Sequence, residues 1–362
     1  MIIKIEFECT KLICKEEKYK IFFSSIAYEI NRGNNYYYFS KRTLEALYNN
    51  EYLEDGPKNI YKRLFDNCYE DNLIFKSVNR KIIIKNTTKN ADNIILEGQN
   101  YLISIDLFIE MNYSYKMNLI AENNTDCNFY KKIGLIYMKK KNIASVRLEL
   151  ENQPGGGSTI KDIVKNKYEN KQISVAYVDS DVKYFKCAEG ETSKKLFKEI
   201  KRLNRKYNND IVEIQKVDAH EVENLIPIKM IKNYYRQNRN EESRDITIDF
   251  LKKINTKKLD INNPIIYFDM KNGIDKKKCC KNEDYRNYWK DVLEKNSYIY
   301  DENSLIDGFG NNLLEKMDSF IEKEIELPDF YSKNIDNYLR KKWNEIGRTI
   351  YSYGCARERR SC

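Results

Sequence analysis

Ile173-Ser-Val-Ala-Tyr-Val178 runs directly into Asp179-Ser180-Asp181. A nearly continuous apolar, β-branched run of this length reads as a strand buried on both faces, with acids at its carboxyl end. Three further runs share the character: Tyr115–Glu122 (YKMNLIAE), 144–151 (ASVRLELE) and 210–217 (DIVEIQKV). Helical stripes separate them. Thr125 is placed to cap a helix carrying Phe129, Ile133 and Tyr137. Ser158 or Thr159 opens a second, with Ile160, Ile163, Val164 and Tyr168, and Leu196, Ile200 and Leu203 mark a third. Strand–helix alternation with buried strands predicts an α/β fold around a parallel sheet with right-handed crossovers.

In such sheets ligands gather beyond the carboxyl ends of the strands. The first strand delivers Glu122, followed by Asp126. The second delivers Gly155, Gly156 and Gly157 after Pro154, and the third Asp179 and Asp181. The fourth is followed by Asp218-Ala-His220-Glu221-Val-Glu223-Asn224. A single strand-end acid is ordinarily solvated, and a D-x-D pair or a glycine run alone decides little. Their order, each after an apolar strand, is what carries weight. Clustered carboxylates repel one another unless a cation lies between them, and hard ions such as Mg²⁺ or Mn²⁺ choose oxygen ligands. Glycines before a helix offer backbone N–H groups to a phosphate. Acids, metal and phosphate cradle together are the equipment of phosphodiester chemistry.

Composition restricts the alternatives. The 362 residues contain one histidine, His220, which disfavours a Ser-His-Asp triad, a Cys-His pair and a His-rich zinc site. Nine cysteines without a CxxC pair fit reduced thiols better than a disulfide framework. The 64 Lys and Arg against 55 Asp and Glu leave a net charge of +9, compatible with a polyanionic partner. No apolar run approaches a membrane span, and charges interrupt the first twenty residues, so a cytoplasmic location is expected.

The flanks are less explicit. In 1–115, one amphipathic helix carries Tyr19 to Ile30, Ser40 caps another, and Pro57 starts a third. The runs 73–77 (LIFKS) and 81–85 (KIIIK) then read as a hairpin, giving an α+β, winged-helix-like outline. Residues 228–362 read as mainly helical, at 246–254, 284–295, 311–325 and 333–350, with Trp289 and Trp343 as core anchors. Lys276-Lys277-Lys278 reads as a solvated loop and Arg357–Arg360 as a frayed basic tail.

The strand-end pattern resembles that of the Toprim domain, a Rossmann-type metal-binding module of topoisomerases, primases and nucleases. That family's pattern places a Glu after the first strand, a glycine turn after the second and Asp-x-Asp after the third. Glu122-Asn-Asn-Thr-Asp126 is similar to the Glu-Gly-x-x-Asp start of Toprim nucleases, with Asn123 departing from the glycine. His220–Leu225 resembles a segment of the anti-phage defence group, which includes the PARIS nuclease and relatives of OLD nucleases. The resemblance spans 116–227. It implies a Toprim-like catalytic unit with an Mg²⁺- or Mn²⁺-dependent nuclease activity on DNA or RNA, tRNA included. Metal ligands would be Glu122, Asp126, Asp179, Asp181 and Glu223. Glu122, Asp179, Asp181 and Lys183 would serve the chemistry, and Gly155, Gly156 and Gly157 the phosphate. It further implies a regulatory ATPase or other defence subunit as partner, and is compatible with a homo-oligomer. The rival expectation is a non-cleaving regulatory subunit that binds nucleic acid or nucleotide on the same scaffold.

Overall fold

The computed structural model describes residues 1–86, 92–111, 115–143, 145–156, 159–238, 244–255, 263–300, 305–327 and 329–359. The N-terminal region builds a sheet from β1 (Ile2–Ile5), β2 (Tyr36–Phe39), β3 (Lys81–Lys85), β4 (Ile95–Glu97) and β5 (Asn100–Ser104). Its order is β2-β1-β3-β5-β4, and only β4 runs antiparallel to its neighbour. This replaces the winged-helix-like outline. Residues 73–77 end a helix, Cys68–Ser77, and β3 pairs with β1 and β5 instead of forming a hairpin. The helix is held side-on to β2: Tyr38 stacks on Phe75 at 4.1 Å, and Tyr36 donates to Asp71 at 2.6 Å. Tertiary contact thus overrides the β-like composition of the segment. The three expected helices form as Glu17–Arg32, Lys41–Tyr48 and Asp55–Asp66, with Ser40 accepting the Thr43 N–H as cap.

The central region supplies β6 (Met117–Ala121), β7 (Val146–Leu148), β8 (Leu150–Pro154), β9 (Ser174–Val178) and β10 (Val212–Lys216). Four of them form a wholly parallel sheet in the order β10-β9-β6-β8, and every residue of β6 and β9 is buried. The expected second strand divides at Glu149. Its first half, β7, pairs antiparallel with β11 (Cys355–Arg357). Arg357, the first residue of the expected tail, is thus in a strand, buried and paired with Asp71 at 2.7 Å, while Glu358 and Arg359 are exposed and Arg360 lies outside the described residues.

Helix Asn124–Lys140 packs on β6 and β8 and crosses the long helix Asn337–Gly354. The crossing is close because Gly134 and Gly347 lie in it. A Cβ on Gly347 would stand 3.1 Å from the Ile133 carbonyl oxygen. Trp343, in the long helix, donates to the Leu225 carbonyl at 2.9 Å. The expected helices at 246–254, 284–295 and 311–325 form within a residue or two of those bounds, while 333–350 breaks into Phe330–Asn334 and Asn337–Gly354. One apolar core, from Phe23 and Ile84 through Leu119 and Val175 to Trp289 and Trp343, joins all three regions. No helix among the described residues is long and apolar enough to cross a membrane.

Candidate metal centre

The parallel register brings the strand ends level. Ala121 lies opposite Pro154, so Glu122 and Gly155 leave the sheet side by side, and Lys216 lies opposite Val178. Beyond β6 the cap of helix Asn124–Lys140 is Asn123, not Thr125. The Asn123 side chain accepts the Asp126 N–H at 2.9 Å. Asn123 therefore does local work at the position where a glycine was expected, and it turns Asp126 into the protein, where it is 6% exposed. Gly155 donates its N–H to the Ala121 carbonyl at 2.8 Å. A Cβ there would stand 2.9 Å from Ile160 Cα, so glycine lets helix Ile160–Glu169 approach the strand end. Gly156 lies beside the Glu122 carbonyl, and Gly157 falls outside the described residues.

Beyond β9 the Asp179-Ser180-Asp181 turn is tied down from two sides. Ser180 Oγ donates to the Ala219 carbonyl at 2.5 Å, and Asp181 N–H to the His220 carbonyl at 3.0 Å. Asp181 takes a left-handed backbone (φ 54°), and Gly190 packs so close that any Cβ would collide with its carboxylate. A cavity of about 200 Å³ results, lined among others by Glu122, Gly155, Asp179, Asp181 and Thr192.

Asp126 and Glu223 adjoin this cavity electrostatically. Burial, then the Glu223 and Glu122 carboxylates, push the Asp126 carboxyl up to about 7. Burial, then Glu223, Asp126 and Glu122, hold Asp179 well above the usual carboxylate range. Of the five acids expected from separate points in the sequence, Glu122, Asp179 and Asp181 line the cavity, and Asp126 and Glu223 are coupled to Asp179 by charge. The unbalanced member is Glu223. It is 5% exposed, and its Oε2 is a buried acceptor without a hydrogen-bond partner. No protein-family model matches this chain, and neither a curated protein nor a solved structure matches it significantly. The residues themselves carry the assignment.

Among the described residues, the group that brings three potential ligand atoms within 4.8 Å of one another is a different one, His220, Glu221 and Asp269, all of them buried. Its carboxylates are already served. Asp269 accepts Lys278 Nζ at 2.9 Å and the Asn272 N–H at 2.8 Å, and His220 Nε2 lies 3.6 Å away. Although burial opposes it, these contacts hold the Asp269 carboxyl well below the usual range. Glu221 accepts the Lys271 N–H at 3.2 Å and pairs with its ammonium at 3.2 Å. His220 Nδ1 is the one open donor position. A cation would have to displace Lys278 and Lys271 there, and Lys271 pairs with Glu223 as well, while burial and Glu223 push the Glu221 carboxyl up to about 7. The all-oxygen Glu122–Asp179 group is the better fit to a hard divalent ion.

The segment after β10 explains this division. Asn224 accepts the Glu221 N–H at 3.0 Å and donates to the Ile265 and Phe268 carbonyls at 2.9 and 2.8 Å. It staples the C-terminal region onto the centre and sets Glu223 towards the acids. That docking delivers Lys271, which the sequence pattern did not single out. Its ammonium sits 3.2 Å from Glu221 and 3.5 Å from Glu223. Burial works against its charge, but the Glu223 and Glu221 carboxylates outweigh that and raise its pKa. No motif spacing signals Lys271, because it reaches the site from a distant segment. Lys183, expected at the acids, lines a different cavity beside Lys277, Lys278 and Lys281.

Proposed function

We propose that this chain is a divalent-metal-dependent nuclease built on a Toprim-like sheet. The supporting observation is that Glu122, Asp179 and Asp181 line one cavity while the Glu223 and Asp126 carboxylates act on Asp179, with a buried Glu223 oxygen left without a hydrogen bond. Asp126, Asp179, Asp181 and Glu223 would hold Mg²⁺ or Mn²⁺, with Glu122 as ligand or proton acceptor. The ion, when bound, supplies charge neutralisation at phosphoryl oxygens and a lowered proton affinity for water.

The chain's own groups do the rest. Glu122 is the exposed member at the cavity wall and accepts a proton from the attacking nucleophile. Lys271 fixes Glu223 and places a positive charge beside the acids, the role expected of Lys183. Gly155 and Gly156 keep side chains out of the substrate approach. A phage-defence role with a regulatory ATPase, in the cytoplasm, rests on the sequence resemblance alone.

The test is incubation of the protein with DNA, tRNA and bulk RNA in Mg²⁺, Mn²⁺ or EDTA. Cleavage in metal that disappears in E122A and D179A is expected. Cleavage surviving in both variants would sink the site assignment.

A further inference from the structure

The cavity that Lys183 lines, about 430 Å³, begins two residues beyond Asp181. Lys276–Lys281 is not the solvated loop of the sequence reading but a short helix. Asp275 caps it, its Oδ1 accepting the Lys277 and Lys278 N–H groups at 2.7 and 3.2 Å. The cap fixes the helix beside the 181–187 loop, and Trp289 Nε1 holds that loop by donating to the Lys183 carbonyl at 3.2 Å. Lys278 is committed to Asp269. Lys183, Lys277 and Lys281 have no ion-pair partner among the described residues. Tyr184 supplies the aromatic wall, held edge-on against the buried Tyr285 ring at 6.3 Å. The protein therefore maintains three unspent cations around an aromatic-lined hollow next to a group of carboxylates that would repel a polyanion.

Another cavity, lined by Arg80, Glu213, Lys216, Asp218 and Lys342 among others, has no such surplus. It is about 470 Å³, and its charges are mostly spent on one another: Arg80 on Glu213 at 2.9 Å, Lys216 on Glu189 at 2.5 Å and Lys342 on Asp218.

We infer that the Lys183–Lys277–Lys281 hollow is the docking track for a single-stranded segment of the nucleic-acid substrate. This deepens the nuclease reading and rests on it. Asp181 and Lys183 are two residues apart, at most ~7 Å of chain. A phosphate on the lysines would thus hold a nearby linkage at the acid cavity. Aromatic walls accept unstacked bases of any identity, so the surface suits single strands better than duplex. The three lysines offset the repulsion that the site acids exert on the incoming strand.

The test is fluorescence anisotropy in EDTA, using fluorescein-labelled 12-nucleotide RNA and DNA and a matching duplex. Wild type is compared with K277E/K281E and with K15E/K62E, an equal charge change on exposed residues of the N-terminal region. We expect K277E/K281E to weaken single-strand binding at least tenfold and to lower the salt slope by about 1.4, from two lost phosphate contacts. K15E/K62E should bind as wild type, and Y184A should reduce the preference for single strands. Equal weakening by both double variants, unchanged binding by K277E/K281E, or no binding by wild type would each overturn the inference. The nuclease reading fails separately, if wild type binds in EDTA but cleaves nothing in Mg²⁺ or Mn²⁺. Thermal melts confirm folding, and both lysines are exposed, so their Tm values should stay near wild type.

Discussion

The two larger sheets of this protein are mainly parallel, yet their strand ends are used in opposite ways. In the N-terminal sheet, the polar groups after the strands are satisfied locally. Ser40 and Ser104 cap the helices that follow β2 and β5, and Glu6, beyond β1, pairs with Lys4 at 3.5 Å. Asp106, beyond β5, accepts Lys18 Nζ and Tyr19 OH, each at 2.8 Å. In spite of partial burial, the Lys18 and Tyr19 hydrogen bonds hold its carboxyl below the ordinary value. In the central sheet, Asp126 and Asp179 face other carboxylates and are pushed the other way. A shared architecture makes a site only where the strand-end charges are left without local partners.

The contrast can be broken most directly by substitution. D179N and E122Q should each lower metal-dependent cleavage by roughly 10²–10⁴-fold, while D106N leaves it unchanged. Initial rates on one substrate would show this, and an equal loss in D106N would erase the distinction between the sheets.

Metal affinity is the next largest effect. E223Q should weaken Mn²⁺ binding, read by titration calorimetry, by roughly 10–100-fold. H220A should change it little on the proposed assignment of the ion to the Glu122–Asp179 group. The reverse ranking would move the metal centre to His220, Glu221 and Asp269.

The proton affinities sharpen the comparison through pH. A carboxyl whose folded-state pKa lies above its unfolded value, as at Asp126, makes the folded state bind more protons. The metal-free protein should therefore lose stability as pH rises from about 4 through about 7, by on the order of 1–4 kcal/mol from this residue. D126N should flatten that slope, and added Mg²⁺ should raise Tm more at pH 8 than at pH 6. Asp106 has the opposite sign, losing stability as pH falls through its depressed value. A metal-free Tm independent of pH in both wild type and D126N would count against the shared acid site.

The smallest effect belongs to the satisfied sheet. Removing the exposed Lys18 partner with D106N should cost about 0.5–1 kcal/mol or less, seen as a small drop in denaturant midpoint.

How much was legible beforehand follows the same division. Glu122, Asp126, Asp179 and Asp181 each stand just after an apolar strand or in the next helix's first turn, so local pattern sufficed to place them on one edge. Glu223 was legible as part of the acid run after β10, but its pairing with Lys271 was not. The first sheet was hidden for a related reason. Tyr36–Phe39 is buried at all four positions, and its apolar character gives no alternation to read. Residues 73–77 have strand-like composition, yet Tyr36 and Tyr38 hold them as helix through Asp71, Asn72 and Phe75. Arg357 looked like a frayed terminus until the partner Asp71 was placed beside it.

The sequence alone determined the order of the central strands and of the acid and glycine motifs that follow them, because these depend on residue type and short-range periodicity. Only the tertiary structure decided which acids are paired. Lys271 reaches Glu223 through a segment docked by Asn224 from more than forty residues away, whereas Lys278 reaches Asp269 within that segment. Whether a carboxylate is neutralised or left to seek a cation depends on charges within a few ångströms in space, and chain separation does not record that distance.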